Sequence, residues 1–129
     1  MFGNFQHSRL RIEVNASDDA IRDSLLCPEQ FQQWLWPQRF SQGLPPRLET
    51  GLIFTSWIGF ISIQHQVQQA NPQNLSLLLY EGIDGLHEWY WGEGWIQSCI
   101  EGVSVLPLNL GQTVSLMRLK QFLENKSPT

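Results

Sequence analysis

A chain of 129 residues with a formal net charge of −4 and a pI near 5.2 is long enough for one hydrophobic core. It offers no electrostatic case for nucleic acid, whose phosphates call for clustered Lys and Arg, because its eight basic residues are scattered. No basic-then-apolar opening and no run of ~18 apolar residues occurs, so neither a signal peptide nor a membrane-spanning helix is expected, and a cytoplasmic setting with Cys27 and Cys99 as ordinary thiols follows.

The first clear element is Arg9–Val14, where Leu10, Ile12 and Val14 alternate with Arg9, Arg11 and Glu13, the period of a strand buried on one face. Asn15-Ala16-Ser17 breaks it. Ser17 is a good N-cap, and Asp18 and Asp19 fall in the first turn, where the helix dipole favours negative charge, so the pattern predicts a helix from Asp18 to about Leu26. Pro28 suits the first turn of a second short helix, and Phe31, Trp34 and Leu35 at i, i+3, i+4 give it one apolar face. Pro37, Gly43, Pro45 and Pro46 then predict an irregular stretch from Trp36 to Pro46, a rim or lid.

From Leu48 onward the pattern turns to β. Leu52–Ile58 is apolar on both faces and ends at a turn near Gly59. In Phe60–Gln68, Ile61, Ile63, His65 and Val67 share one face and Ser62, Gln64, Gln66 and Gln68 the other, which turns His65 inward with the apolar set. Leu75–Tyr80 follows as the next strand, and Gly82-Ile83-Asp84-Gly85 reads as a turn on the strength of its Asp-Gly pair. Leu86–Trp91 and Trp95–Leu106 form a Trp-rich hairpin joined by Gly92-Glu93-Gly94. After Pro107 the period becomes helical from about Leu110 to Glu124, with Leu110, Val114 and Met117 on one stripe and Leu116, Leu119 and Leu123 on a second. The whole chain, 1–129, reads as one domain, with 125–129 expected to fray.

This order of elements, with the phrase VNASDDAIRDSLLCPEQFQQWL at Val14–Leu35, resembles the START-like superfamily. That superfamily, also called SRPBCC or helix-grip, includes polyketide cyclases, pollen-allergen-like carriers and lipid-transfer domains. The resemblance covers essentially the whole chain. It implies an α+β helix-grip fold, in which a curved antiparallel sheet of about six strands wraps a long C-terminal helix and two short helices follow the first strand. It also implies a cavity between the concave sheet and that helix.

Such a cavity is mostly apolar with a few polar groups that fix orientation. The candidate lining is Ile61, Ile63 and His65 from one strand, His87, Trp89 and Trp91 from the Trp-rich hairpin, and Val114 and Met117 from the helix. Each has a plainer reading. A buried His is commonly neutral and satisfied by a backbone carbonyl, and an inward Trp commonly packs a core. Were the Trp face outward, it would instead mark a docking patch. His87 and Glu88 are adjacent on a strand and point to opposite faces, so they do not form an acid/base pair for one cavity. No spacing presets a metal site, and Gly92-Glu93-Gly94 lacks the rest of a phosphate loop.

The leading expectation is therefore binding or transport of a small hydrophobic ligand of lipid, polyketide or isoprenoid type. The alternatives are a cyclase- or dehydratase-like enzyme with a cavity His as general base, and an interaction module with exposed aromatics. No cofactor is expected. The expected partner is a small hydrophobic molecule, and a homo-oligomer is compatible with the sequence.

Overall fold

The polar break after the first strand is where the chain leaves the sheet. In the computed structural model, which describes residues 3–35 and 37–126, β1 (Asn4–Glu13) ends there, and the Ser17 hydroxyl accepts the Ala20 N–H at 3.1 Å to open α1 (Asp18–Leu26). α2 (Pro28–Trp34) begins on Pro28 and buries Phe31 and Trp34, whose indole N–H donates to the Ser24 carbonyl of α1 at 3.0 Å. That bond locks the two short helices into one corner.

Of the stretch expected to be irregular, Trp36 lies outside the described residues, and the rest carries β2 (Arg39–Phe40), paired with Trp57 and Ser56. Two residues are too few to show a period, which is why this strand is invisible in the sequence. β3 (Ile53–Ile58), β4 (Ile61–Asn71), β5 (Asn74–Glu81), β6 (Ile83–Gly92) and β7 (Trp95–Ser104) then run as a meander. β1 closes on β7, giving one seven-stranded antiparallel sheet in the order β1-β7-β6-β5-β4-β3-β2. The seventh strand beyond the expected six is β2.

One turn is displaced from its expected position. Asp84 and Gly85 are not in a turn but within β6, opposite Val103 and Gly102, and the chain reverses at Glu81-Gly82, with Glu81 at φ 76°. Gly85 serves close strand approach: a Cβ there would lie 1.9 Å from the Glu101 carbonyl oxygen. The glycine that suggested a turn is needed by the sheet.

α3 (Leu108–Lys126) starts two residues earlier than expected, directly after Pro107. The Gln6 side chain spans the junction. Its Oε1 accepts the Leu108 N–H at 2.9 Å, while its Nε2 donates to the carbonyls of Ser104 and Leu106, so β1 caps the helix start. α3 crosses β1 and β7 and buries Leu108, Gln112, Leu116, Leu119 and Leu123. The other stripe, Leu110, Val114 and Met117, faces outward, with Met117 at 65% exposure. Asn125 and Lys126, expected to fray, are helical, and 127–129 lie outside the described residues. The architecture is α+β and helix-grip: a sheet on one side, and α1, α2 and α3 on the other. Among the described residues, no helix is long and apolar enough to cross a membrane.

Candidate functional site

Inward positions of β3 to β7 and the start of α3 enclose a partly open cavity of ≈ 970 Å³. Its walls are Phe31 and Trp34 from α2, Phe54 from β3, Ile63 from β4, Leu75, Leu77 and Leu79 from β5, Ile83 and Trp89 from β6, and Ile100 from β7. Strand alternation puts these residues on one surface, because every second side chain of each strand faces the helices. Phe60, Ile58, Leu110 and Val114 also line it and are exposed, Phe60 at 97%, so its mouth is apolar as well.

Of the eight residues named from the sequence, Ile63, His65, His87, Trp89 and Val114 line this cavity. Ile61, Trp91 and Met117 lie outside its lining. The methyl of Ile61 packs over Gly82. Trp91 is sealed at 1% exposure, with its indole N–H donating to the Pro72 carbonyl at 2.9 Å. Met117 sits on the outward stripe of α3, on the side away from Leu116 and Leu119. The hairpin's Trp face thus looks inward, and none of the five described tryptophans is exposed.

The two cavity histidines have matching surroundings. His65 stacks on Phe54, its direct partner across β3 and β4, with ring centroids 4.7 Å apart and planes 5° apart. Its Nε2 lies 2.8 Å from the Ser56 hydroxyl, which accepts from the Gln38 amide at 2.8 Å. His87 lies against Trp89 at 4.7 Å, and its Nε2 is 2.9 Å from the Ser98 hydroxyl, which accepts from the Gln112 amide at 2.9 Å. In both cases the order is Gln, Ser, His. Each serine is on the neighbouring strand, two residues from the position directly opposite its histidine.

Burial pushes the pKa of His65 down to about 4. His87 falls to about 3, first through burial and second through the proximity of His65, whose charge would repel its own. By surface His87 is only half-buried, yet it is enclosed by protein, because the space it touches is the cavity itself. Both rings are neutral at pH 7. His65 Nδ1 is buried without a hydrogen-bond partner.

The sequence reading missed Ser56, Ser98, Gln38 and Gln112. Two carried a signal: Ser98 shares the inward face of β7 with Ile96 and Ile100, and Gln112 shares the buried stripe of α3 with Leu108 and Leu116. Among the described residues no group of His, Cys, Asp and Glu is arranged to hold a metal ion, and Cys27 and Cys99 are free.

No protein-family model matches the chain, and no curated protein matches it in sequence. Solved structures do match. Protein CV1439 from Chromobacterium violaceum superposes with a TM-score of 0.76 at 16% identity, over 92% of this chain and 97% of its own. DynU16, a protein of the dynemicin biosynthetic locus, gives 0.72 at 18% identity over 95% of this chain and 48% of its own. The Aha1 dimer from Colwellia psychrerythraea gives 0.66 at 16% identity over 95% and 99%. At these identities the likeness is one of fold.

Proposed function

We propose that this chain binds and carries a small hydrophobic molecule of lipid, polyketide or isoprenoid type in the cavity between sheet and α3. The observation that carries the reading is the cavity itself: ≈ 970 Å³, walled by Leu, Ile, Phe and Trp, with an apolar mouth and two neutral imidazoles. Ligand pockets are commonly about 300–1,000 Å³ and mostly apolar with a few placed polar groups. The DynU16 fold comes from a biosynthetic locus, a setting for small organic molecules.

A general-base role for either histidine has weaker support. A base works best with a pKa near the operating pH, and burial holds these two rings at about 4 and about 3. The binding reading is tested by native mass spectrometry of the purified chain together with Nile red titration. One saturable dye equivalent with blue-shifted emission, displaced by a long-chain hydrophobic competitor, is expected. A bare chain mass combined with no saturable dye uptake would sink the proposal.

A further inference from the structure

The proton order around His87 can be read atom by atom. Two backbone carbonyls, Ser98 O at 2.9 Å and Ser8 O at 3.3 Å, face the same end of the Gln112 side-chain amide. Carbonyls only accept, so that end is the NH₂ group and the other is the oxygen. The Ser8 hydroxyl, 2.5 Å from Gln112 Oε1, must therefore donate to it, and Ser8 in turn accepts from Asn109 Nδ2 at 2.7 Å. The NH₂ group has two hydrogens for three acceptors, so one is shared between a carbonyl and the Ser98 hydroxyl, 2.9 Å from Nε2, and that hydroxyl can only accept there. The Ser98 hydrogen then has one acceptor within reach, Nε2 of His87. A neutral imidazole whose Nε2 accepts carries its hydrogen on Nδ1.

No group of the described residues accepts from that Nδ1–H, and the ring lines the cavity with Trp89 against its face. A polar hydrogen held by a fixed buried chain in an apolar wall is an orienting group in search of an acceptor.

We infer that the cavity selects apolar molecules bearing a carbonyl oxygen, and that this oxygen accepts from Nδ1–H of His87. The inference rests on the cavity-binding reading and adds the chemical class of the ligand. A neutral carbonyl suits the donor better than a carboxylate does, because the surroundings hold the ring uncharged, and an anion would lose its hydration against a wall of Leu and Ile. Gln112, Ser98, Ser8 and Asn109 are positioning residues: they fix which nitrogen carries the hydrogen.

The test uses two probes of one skeleton: 6-propionyl-2-(dimethylamino)naphthalene, a ketone whose emission reports hydrogen bonding, and 2-(dimethylamino)naphthalene, which lacks the acyl group. The unsubstituted chain is expected to bind both, and His87→Leu to lower the affinity ratio of the ketone to its acyl-free parent by roughly five- to tenfold, the worth of one hydrogen bond. A ratio that His87→Leu leaves unchanged overturns the inference while the carrier reading stands; failure of both probes to bind overturns both. Should His87→Leu fail to fold, nitrogen-15 NMR of the unsubstituted chain at pH 7 decides. Protonated Nδ1 whose signal moves on ketone addition supports the inference, whereas protonated Nε2, or a signal that does not move, overturns it.

Discussion

His65 sits where a positive charge has no counterpart: Phe54 covers its face, and its Nδ1 has no partner. With a native pKa of about 4 against an ordinary 6.5, the native state stays unprotonated where the unfolded chain takes up a proton. The contribution of the neutral ring is thus complete above pH 6.5 and declines as pH falls towards 4, by about 3 kcal/mol for this residue. Urea midpoints measured from pH 7.5 to 4.5 should fall less for His65→Phe than for the unsubstituted chain. Identical slopes would rule the mechanism out. At this scale the sequence was half legible. Alternation put Ile61, Ile63 and His65 on the inward face and grouped His87, Trp89 and Trp91 on one face, because the period of a strand is two whatever the side chain; which way that second face looks was decided by packing and was not legible. Of the residues behind the histidines, Ser98 and Gln112 carried a signal in the apolar company they keep, whereas Ser56 and Gln38 did not stand out, since a polar residue at an inward position looks in one dimension like a surface residue.

Between elements, Gly85 and Gly102 face each other across β6 and β7 and leave no room for a Cβ. The Asp-Gly pair carries a local turn preference, but cross-strand contact decides its fate, and such contact cannot be read from four residues. α3 shows the same limit. Apolar residues lie on both of its sides, so its helical period marks two stripes without saying which one faces the sheet. The structure chooses Leu116, Leu119 and Leu123, and the choice has a measurable cost. Leu119→Ala, at a position with 0% exposure, should lower stability by about 2–5 kcal/mol, and Met117→Ala, at 65% exposure, by no more than about 0.5 kcal/mol. Urea unfolding checks both; comparable losses would mean that the two stripes are exchanged.

Across the whole molecule, the cavity and the helix meet at Gly111. It lies within α3, lines the cavity, and has nothing within 4 Å of where a Cβ would stand. Glycine in a helix interior costs about 1 kcal/mol relative to alanine, so Gly111→Ala should raise stability by up to that amount while leaving the Nile red affinity in place. Gly111→Trp puts an indole into the same open space without a backbone clash, and should weaken dye binding at least tenfold while the chain stays folded by circular dichroism. Undiminished dye affinity in Gly111→Trp would place the dye outside this cavity. The helix-grip arrangement was legible at this scale because strand, two short helices, meander and long helix appear in order, each with its own period. The width of the space between them was not, because volume depends on how far the sheet bends.

The hydrogen-bond chain from Asn109 through Ser8, Gln112 and Ser98 to His87 crosses α3, β1, β7 and β6. Every link has a direction, so the bonds act in series and polarise one another. The same protons that fasten the start of the last helix to the first strand also set which nitrogen of His87 bears a hydrogen. Gln112 sets the direction of the series, because the carbonyls of Ser8 and Ser98 hold its NH₂ end, so the polarity of the cavity wall is anchored where the fold closes rather than in the cavity itself.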